Sequence, residues 1–252
     1  MKTLEPEVNI INWTQDALEL LIYTKSGRLS TGTTLCEIKA WPVKIKLDHL
    51  GYMFDTIMTS FEFVDYVFEI KNVSRALTHQ LVRTRTASYQ QQAMRVVDAR
   101  DASVLVTSDH PAYERAINAA FESYAEMVDD GVPVQDSRGV LPTAVHTTIV
   151  VKANLRTLSG MAELRLCKRA EGEYQKVFKL VVGEILKIHP WAGPLLKVFC
   201  VKYATCAFPR YVDCPVQHHT VDVAAWATDI EKAWENCNHV ANPVANKNGM
   251  TM

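Results

Sequence analysis

The feature that most constrains this chain is a strand pattern that leads directly into an arginine-rich helix and loop, together residues 64–95. Residues 64–71 alternate apolar and polar side chains, which is the period of two expected of a half-buried strand. The alternating apolar residues are Val64, Tyr66, Phe68 and Ile70. Residues 73–81 then change to apolar spacings of three and four, which predicts a short helix whose start Ser74 can cap.

The loop that follows this helix carries positive charge without a local counter-charge. Arg83, Arg85 and Arg95 lie among amides and hydroxyls, and no acidic residue occurs between Glu69 and Asp98. A solvated helix would normally place a carboxylate four residues from each such cation. One interpretation is structural, with each arginine paired to a distant acid or packed along its stem. The set favours the other interpretation, a site for a charged, planar, hydrogen-bonding ligand such as a nucleotide.

Composition limits what that ligand site can belong to. The chain has 252 residues, 48% of them hydrophobic, and a net charge of −1. It is long enough for a substantial core, and it has no global field that would favour nucleic acid or an anionic membrane, so any basic site must be local. It has neither an apolar run of membrane-spanning length nor a signal-peptide core. We therefore expect a cytoplasmic globular protein with one domain over residues 1–235 and a polar tail over 236–252.

Further elements follow from periodicity and turn signals. A strand and a helix are predicted from the apolar clusters at 8–11 and 17–23, a strand over 144–152, and helices over 157–169 and 171–187. Another helix is predicted to begin with Asp109 as its N-cap and Pro111 in its first turn, and to end at Gly131. Its predicted apolar stripe is Ala116, Ala120, Tyr124 and Met127.

The cysteines and histidines near the end of the chain raise the question of a metal. Cys200, Cys206 and Cys214 are followed by His218 and His219, but no C-x-x-C pair is present. Structural zinc sites usually contain at least one such tight pair. We therefore predict no metal site and treat the cysteines as small buried hydrophobic residues in a reduced protein.

At this point four stretches of the chain resemble a known family. The segment HQLVRTRTASYQQQAMR resembles the signature of the flavin-dependent thymidylate synthases, R-H-R followed after seven residues by Ser. Three other stretches agree in order: residues 59–62 resemble the family's T-P-F-E segment, residues 138–142 its R-x-x-L-P turn, and residues 154–165 its N-A-R-S-L…L-R stretch. Together the matches span residues 56–175.

The resemblance implies a fold, an assembly and a reaction. The fold would be α/β (α+β), a single domain with a mixed sheet flanked by helices, assembled as a homotetramer with active sites at subunit interfaces. The cofactor would be FAD, with NADPH as reductant and methylenetetrahydrofolate as carbon donor. The substrate would be dUMP and the product dTMP. No metal, nucleic acid or membrane is implied.

The resemblance also assigns residues, position by position. The cofactor-binding residues would be Thr59, Arg83, Thr84, Arg85, Thr86, Gln91, Asn154, Arg156 and Gly160. The substrate-binding residues would be Gln80, Arg83, Gln91, Gln92, Ala93, Arg95, Arg138 and Arg165. Arg95 and Arg138 would hold the nucleotide phosphate. Arg165 would be catalytic, contacting the pyrimidine and stabilising the negative charge that develops on its ring.

The chain departs from the family pattern at four positions. Thr84 stands where the family has the His of R-H-R, and Ala93 where it has the motif Ser. Ile57 and Gly160 stand where the family usually has a His and an Asn. Positions 57, 84 and 160 belong to the expected flavin or folate environment, whereas the phosphate-side arginines are present.

Three functions therefore remain open from the sequence. The first is an active flavin-dependent thymidylate synthase. The second is a family member that methylates or hydroxymethylates dUMP or dCMP, since an amide such as Gln91 could flip to match either base. The third is a non-catalytic nucleotide-binding homologue that has lost the flavin.

Overall fold

The computed structural model describes residues 4–208 and is organised around a four-stranded sheet. The strands are β1 (Glu7–Trp13), β2 (Asp65–Ser74), β3 (Ser88–Gln91) and β4 (His146–Asn154). Their order is β1-β2-β4-β3, and all three pairings are antiparallel. The predicted α+β class and three of the strands are confirmed. The expected mixed sheet is corrected to an antiparallel one, and β3 was not predicted.

Helices precede and follow these strands. They are α1 (Ala17–Arg28), α2 (Leu35–Ala40), α3 (Val43–Thr56), α4 (Arg75–Leu81), α5 (Pro111–Asp129), α6 (Val134–Ser137), α7 (Leu155–Arg165), α8 (Gly172–Ile188) and α9 (Phe199–Tyr203). Short 3₁₀ turns cover Met58–Phe63, Arg138–Val140 and Pro190–Ala192. Within residues 4–208, no helix has the length and apolar character needed to cross a membrane.

The core forms where one face of the sheet meets the helices. Val64 and three alternate residues of β2, Tyr66, Phe68 and Ile70, are at most 2% exposed, as the period of two predicted. The apolar stripe of α8 joins the same cluster through Val177, Phe178 and Val181. Burial of such side chains contributes roughly 1.5–3 kcal/mol each, so this layer supplies much of the stability.

Both central strands continue directly into helices. β2 ends at Ser74, whose Oγ accepts a hydrogen bond from the Leu77 amide at 3.0 Å and caps α4. β4 ends at Asn154, whose Oδ1 accepts from the Thr157 amide at 2.8 Å and caps α7. Because β2 and β4 are antiparallel, with Ser74 opposite His146, the two helices begin at opposite ends of the sheet. The predicted Ser74 cap is confirmed.

The N-cap of helix α5 is one residue later than predicted. His110, not Asp109, is the N-cap, and its Nδ1 accepts from the Ala112 amide at 3.1 Å. The reason is that Pro111 is the first helical residue, which leaves the cap position to its immediate neighbour. The buried residues of α5 are Ile117 and Tyr124. Tyr124 was therefore predicted correctly, whereas Ile117 was missed.

A buried hydrogen bond ties β2 to the chain after α8. The Tyr66 hydroxyl lies 2.7 Å from Nδ1 of His189, and both residues are buried. Burial raises the pKa of Tyr66 and lowers the pKa of His189 to about 4. His189 is therefore neutral at pH 7, and protonating it requires charge to enter the core.

This burial predicts a pH-dependent stability. Since the His189 pKa falls from 6.5 in the unfolded chain to about 4 in the folded one, the unfolded state binds the proton first as pH falls. The contribution is fully present above pH 6.5 and is lost between pH 6.5 and 4, by up to about 3 kcal/mol. Urea unfolding at several pH values should show a shallower pH dependence in His189→Asn than in the wild type. Identical pH dependence in both proteins would contradict the assignment.

Candidate functional site

A cleft of about 640 Å³ runs along helix α7 and gathers much of the predicted cofactor set. It is lined by Glu62, Thr84, Thr86, Asn154, Arg156, Thr157, Gly160, Met161, Leu164 and Arg165. Five predicted cofactor-binding residues and the predicted catalytic arginine are among them. A second cavity, of about 700 Å³ between Phe54 and Lys202, contains none of the predicted residues, so its similar size carries no functional argument.

The cleft is rich in hydrogen-bond donors. Asn154 uses its Oδ1 to cap α7, which leaves its NH₂ group free to donate. The N-terminus of α7 adds the positive end of the helix dipole. Glu62 is the one acidic lining residue, and its Oε1 lies 2.5 Å from Arg156 Nη1. Both side chains of this pair are about half exposed, so the pair is weak and Arg156 can be released to a ligand. The donor set suits an anionic group rich in acceptors.

Arg156 and Arg165 both line this cleft, although their spacing of nine residues predicts opposite sides of one helix. They lie in the first and last turns of α7, about 14 Å apart along its axis. The length and flexibility of an arginine side chain allow both guanidiniums to reach the same cleft from these positions. The same spacing predicts that they serve different parts of one ligand, or different ligands, and this stays a prediction. The Arg165 guanidinium carbon also lies 4.4 Å from the centre of the Tyr174 ring.

A second basic group lies where β2 ends and α4 begins. Arg75 Nη1 donates to the backbone carbonyl of Gln92 at 3.5 Å. Burial, together with the nearby charge of Arg138, lowers the pKa of Arg75. In the part of the chain that the structure describes, no carboxylate is ion-paired with Arg75 or Arg138. Two guanidiniums that repel each other without an acid between them have the charge and the donors that suit an anion.

Sequence reasoning missed Arg75. The signal available for it was its place in the first turn of α4, inside the same acid-free stretch as Arg83 and Arg85. Its closeness to Arg138 depends on the folded chain and could not be read from spacing.

Gln91 is held in one orientation. Thr78 Oγ1 donates its proton to the Arg75 carbonyl at 3.0 Å, so it can only accept from its other neighbour, Gln91 Nε2, at 2.8 Å. In this arrangement the amide presents its NH₂ group to Thr78. A flip would require Thr78 to withdraw its proton from the Arg75 carbonyl and donate it to Gln91, which disfavours the expectation that Gln91 flips to match either base.

Other predicted residues lie outside the lining of the cleft. Thr59, Arg83, Arg85, Gln92, Ala93, Arg95 and Arg138 are exposed, while Gln80 and Gln91 are partly buried. Among the described residues, no group of three His, Cys, Asp or Glu side chains could hold a metal ion. Cys200 and Cys206 form no disulfide and are only partly buried, so the prediction that they are buried hydrophobic residues is wrong for these two. Cys214, His218 and His219 lie outside the described residues.

One of the sequence departures has a structural explanation, and a second does not. Ile57 is 3% exposed and packs in the core, so an apolar side chain is well accommodated there. Gly160 lies in the middle of α7 and lines the cleft. A Cβ built on Gly160 would meet no atom within 4 Å. Protein packing therefore does not require glycine at this position, and the space above it belongs to the cleft.

Comparison with protein families gives a match over most of the described chain. The model of the family described as "Thymidylate synthase complementing protein" matches residues 30–191. This range includes the cleft, the second basic group and all of the predicted site residues.

Individual relatives agree with the family match. The chain is 32% identical over 206 residues to the flavin-dependent thymidylate synthase of Sulfurisphaera tokodaii, which covers 74% of this chain and 77% of the relative. It is 40% identical over 146 residues to the Geobacter sulfurreducens protein of the same name, covering 53% and 63%. Its fold resembles that of thymidylate synthase X from Helicobacter pylori, whose crystal structure contains FAD and dUMP. The TM-score is 0.63 at 20% sequence identity, and the match covers 77% of this chain and 100% of the Helicobacter pylori chain.

The open space above Gly160 predicts a change in stability. Gly160→Ala should stabilise the protein by about 0.5–1 kcal/mol, because alanine restricts the unfolded chain and nothing opposes its methyl group. This corresponds to a rise of about 1–4 °C in the unfolding temperature. Gly183→Ala in α8 is a matched control, since it is also a helical glycine with open space around it. A lower unfolding temperature for Gly160→Ala alone would show that another group occupies that space.

Proposed function

The chain belongs to the thymidylate synthase complementing protein family, whose relatives are flavin-dependent thymidylate synthases, and on this premise we propose that it methylates dUMP to dTMP with FAD as cofactor. Methylenetetrahydrofolate would donate the carbon and NADPH the reducing equivalents. The observation that carries the proposal is the donor-rich cleft in which the loop of the arginine motif meets the N-terminal half of α7.

The residues of the cleft are suited to FAD. A pyrophosphate is anionic and rich in acceptors, and Arg156, the Asn154 NH₂ group and the N-terminus of α7 offer it charge and donors. Thr84 and Thr86 add hydroxyls on the facing loop. When bound, FAD supplies the redox chemistry that no side chain can provide. The protein's part is to bind the cofactor, orient it and exclude competing groups.

The nucleotide would be held mainly through its phosphate. Arg75 and Arg138 are two neighbouring cations without an ion-paired carboxylate among the described residues. Arg95 lies in the chain that follows strand β3. Each can bind two phosphate oxygens at once. Arg165 would act at the base, where its fixed guanidinium stabilises negative charge that develops on the pyrimidine ring.

A homotetramer with sites between subunits is part of the proposal. Thr84 and Thr86 precede β3, whereas Gln92 and Arg95 follow it. The four residues of the strand separate the two groups by about 13 Å at 3.3 Å per residue, more than the base-to-phosphate length of one mononucleotide. Residues from more than one copy would complete each site. This supports an interfacial active site and gives the assembly a functional reason.

The first test is spectroscopic. Purified protein, with FAD added if it is colourless, should show a bound-flavin absorption spectrum that shifts on titration with dUMP. A shift with dCMP instead would favour the reaction on cytosine nucleotides. Absence of any flavin uptake would favour the non-catalytic homologue and overturn the proposal.

The second test separates the roles of two arginines. Arg165→Ala should lower kcat by about 10²–10³-fold, because it removes a group that acts on transition-state charge. Arg95→Ala should weaken binding of dUMP and dCMP alike, because its proposed partner is the phosphate. Unfolding temperatures should stay near the wild type. If Arg165→Ala remains active but unfolds at a lower temperature, Arg165 is structural.

The same two variants test the interfacial site. If Arg95 and Arg165 reach one nucleotide from different subunits, coexpression of the two variants should produce mixed oligomers that contain some intact sites. Activity should then exceed that of either variant alone. No recovery in demonstrably mixed oligomers would place both arginines in the same subunit's site.

A further inference from the structure

One buried group of α8 is unexplained by packing. Tyr174 is 1% exposed, and its ring lies in the apolar core beside Leu158 and Met161. Its hydroxyl is buried and has no hydrogen-bond partner among the described residues. Leaving a buried hydroxyl unpaired costs roughly 1–3 kcal/mol, and such groups are uncommon in folded proteins. A phenylalanine would pack there without this cost, so the hydroxyl itself calls for a function.

The surroundings of this hydroxyl connect it to the cleft. The Arg165 guanidinium stacks on the Tyr174 ring, with 4.4 Å between the guanidinium carbon and the ring centre. The side chains of Arg165 and Thr84 both lie near the hydroxyl, close enough to favour its ionised form, while burial dominates and raises the pKa of Tyr174 to about 12. Neither side chain is in hydrogen-bonding geometry with the hydroxyl. Tyr174 is therefore a protonated phenol at neutral pH, directly behind two residues that line the cleft.

Thr84 is fixed through its backbone, while its side-chain hydroxyl lies near two phenol hydroxyls, those of Tyr89 and Tyr174. Its carbonyl accepts from the Tyr89 hydroxyl at 2.9 Å and from the Ala87 amide at 3.2 Å, and its own amide donates to the Leu81 carbonyl at 3.1 Å. The loop backbone is thus held in place, and the movement that the inference requires is a change in the Thr84 side chain alone.

The donors and acceptors of Arg165, Tyr174 and Thr84 determine the direction in which hydrogen bonds among them could run. A guanidinium can only donate, so in a closed group the Tyr174 oxygen would accept from Arg165 and its single proton would go to Thr84. Thr84 would then accept from Tyr174, which leaves the Thr84 proton for a group in the cleft. The order of donation would be Arg165 to Tyr174 to Thr84, and the last donor needs an acceptor on a ligand.

We propose that Tyr174 is a positioning residue that holds Arg165 by stacking and passes a hydrogen bond to Thr84, so that Thr84 donates to an acceptor atom of bound FAD. The inference rests on the proposed function, because it takes FAD as the ligand of the cleft. It gives the unpaired Tyr174 hydroxyl a hydrogen bond that forms when FAD fills the cleft. It also explains how a threonine can act as an oriented donor at a position where a larger ring donor is absent.

The test measures FAD affinity, by fluorescence titration of apoprotein, in Tyr174→Phe, Thr84→Val and the double variant. Each single variant should bind FAD about fivefold to tenfold more weakly than the wild type. The double variant should be no weaker than Thr84→Val alone, because both changes break one chain of hydrogen bonds. Thr84→Ser keeps the hydroxyl and should remain near the wild type.

Apoprotein stability separates a positioning role from a structural one. Tyr174→Phe keeps the ring and removes only the unpaired hydroxyl, so its unfolding temperature should equal or exceed that of the wild type. A loss of stability together with a loss of affinity would mark Tyr174 as a packing residue and overturn the inference.

Two other outcomes have distinct meanings. If the wild type binds FAD and Tyr174→Phe binds it equally well, or if the two single effects multiply in the double variant, the inference fails while the proposed function stands. If the wild type binds no FAD, both fail together.

Discussion

The antiparallel pairing of β2 with β4 is the constraint on which the site depends. Each strand passes directly into a helix through a capping side chain, Ser74 for α4 and Asn154 for α7, so no flexible loop separates sheet from helix. The register between the strands therefore also sets where the two helices begin. A slip of one residue would turn the buried face of β2 to solvent and would displace both helix starts.

A second contact fixes helix α8 against strand β2. The Glu173 carboxylate accepts from the Ser74 amide at 2.7 Å and from its hydroxyl at 2.5 Å, and burial raises the pKa of Glu173. The next residue along α8 is Tyr174, which stacks with Arg165. The half-buried Glu173 carboxylate thus fixes the start of α8 against Ser74. Since Tyr174 is the next residue and stacks with Arg165, this contact also helps to fix the position of Arg165.

The sequence predicted the parts of this structure that follow from local patterns. The alternation in β2, the Ser74 cap and helices α4, α5, α7 and α8 were recognised because periodicity and capping act over a few residues. Strand β3 was not predicted, since its residues Ser88–Gln91 are mostly polar and it forms by pairing at the sheet edge with β4. The proximity of Arg75 to Arg138 was missed for the same reason, because it is a contact between distant segments.

The candidate site was predicted as a set of residues, while its division into two groups required the fold. The acid-free stretch correctly indicated cations without local partners. One of them, Arg75, is repelled by Arg138 from outside the stretch, and a chain selected for stability alone would place a carboxylate between the two. Spacing alone could not show that Thr84, Thr86 and Arg156 share one cleft while Arg75 and Gln92 meet elsewhere.

The four departures from the family pattern differ in kind once they are placed in the structure. Ile57 is part of the core, and Gly160 leaves open space in the cleft wall, so each removes a donor without disturbing the fold. Thr84 keeps a hydroxyl in the cleft, with a buried phenol behind it, and Ala93 is an exposed position after β3. Two of the four, Thr84 and Gly160, therefore line the cleft in which we place the cofactor. Arg75 and Arg138, which we propose bind the nucleotide phosphate, are not among the residues that line this cleft, so altered cofactor contacts need not alter how the phosphate is held.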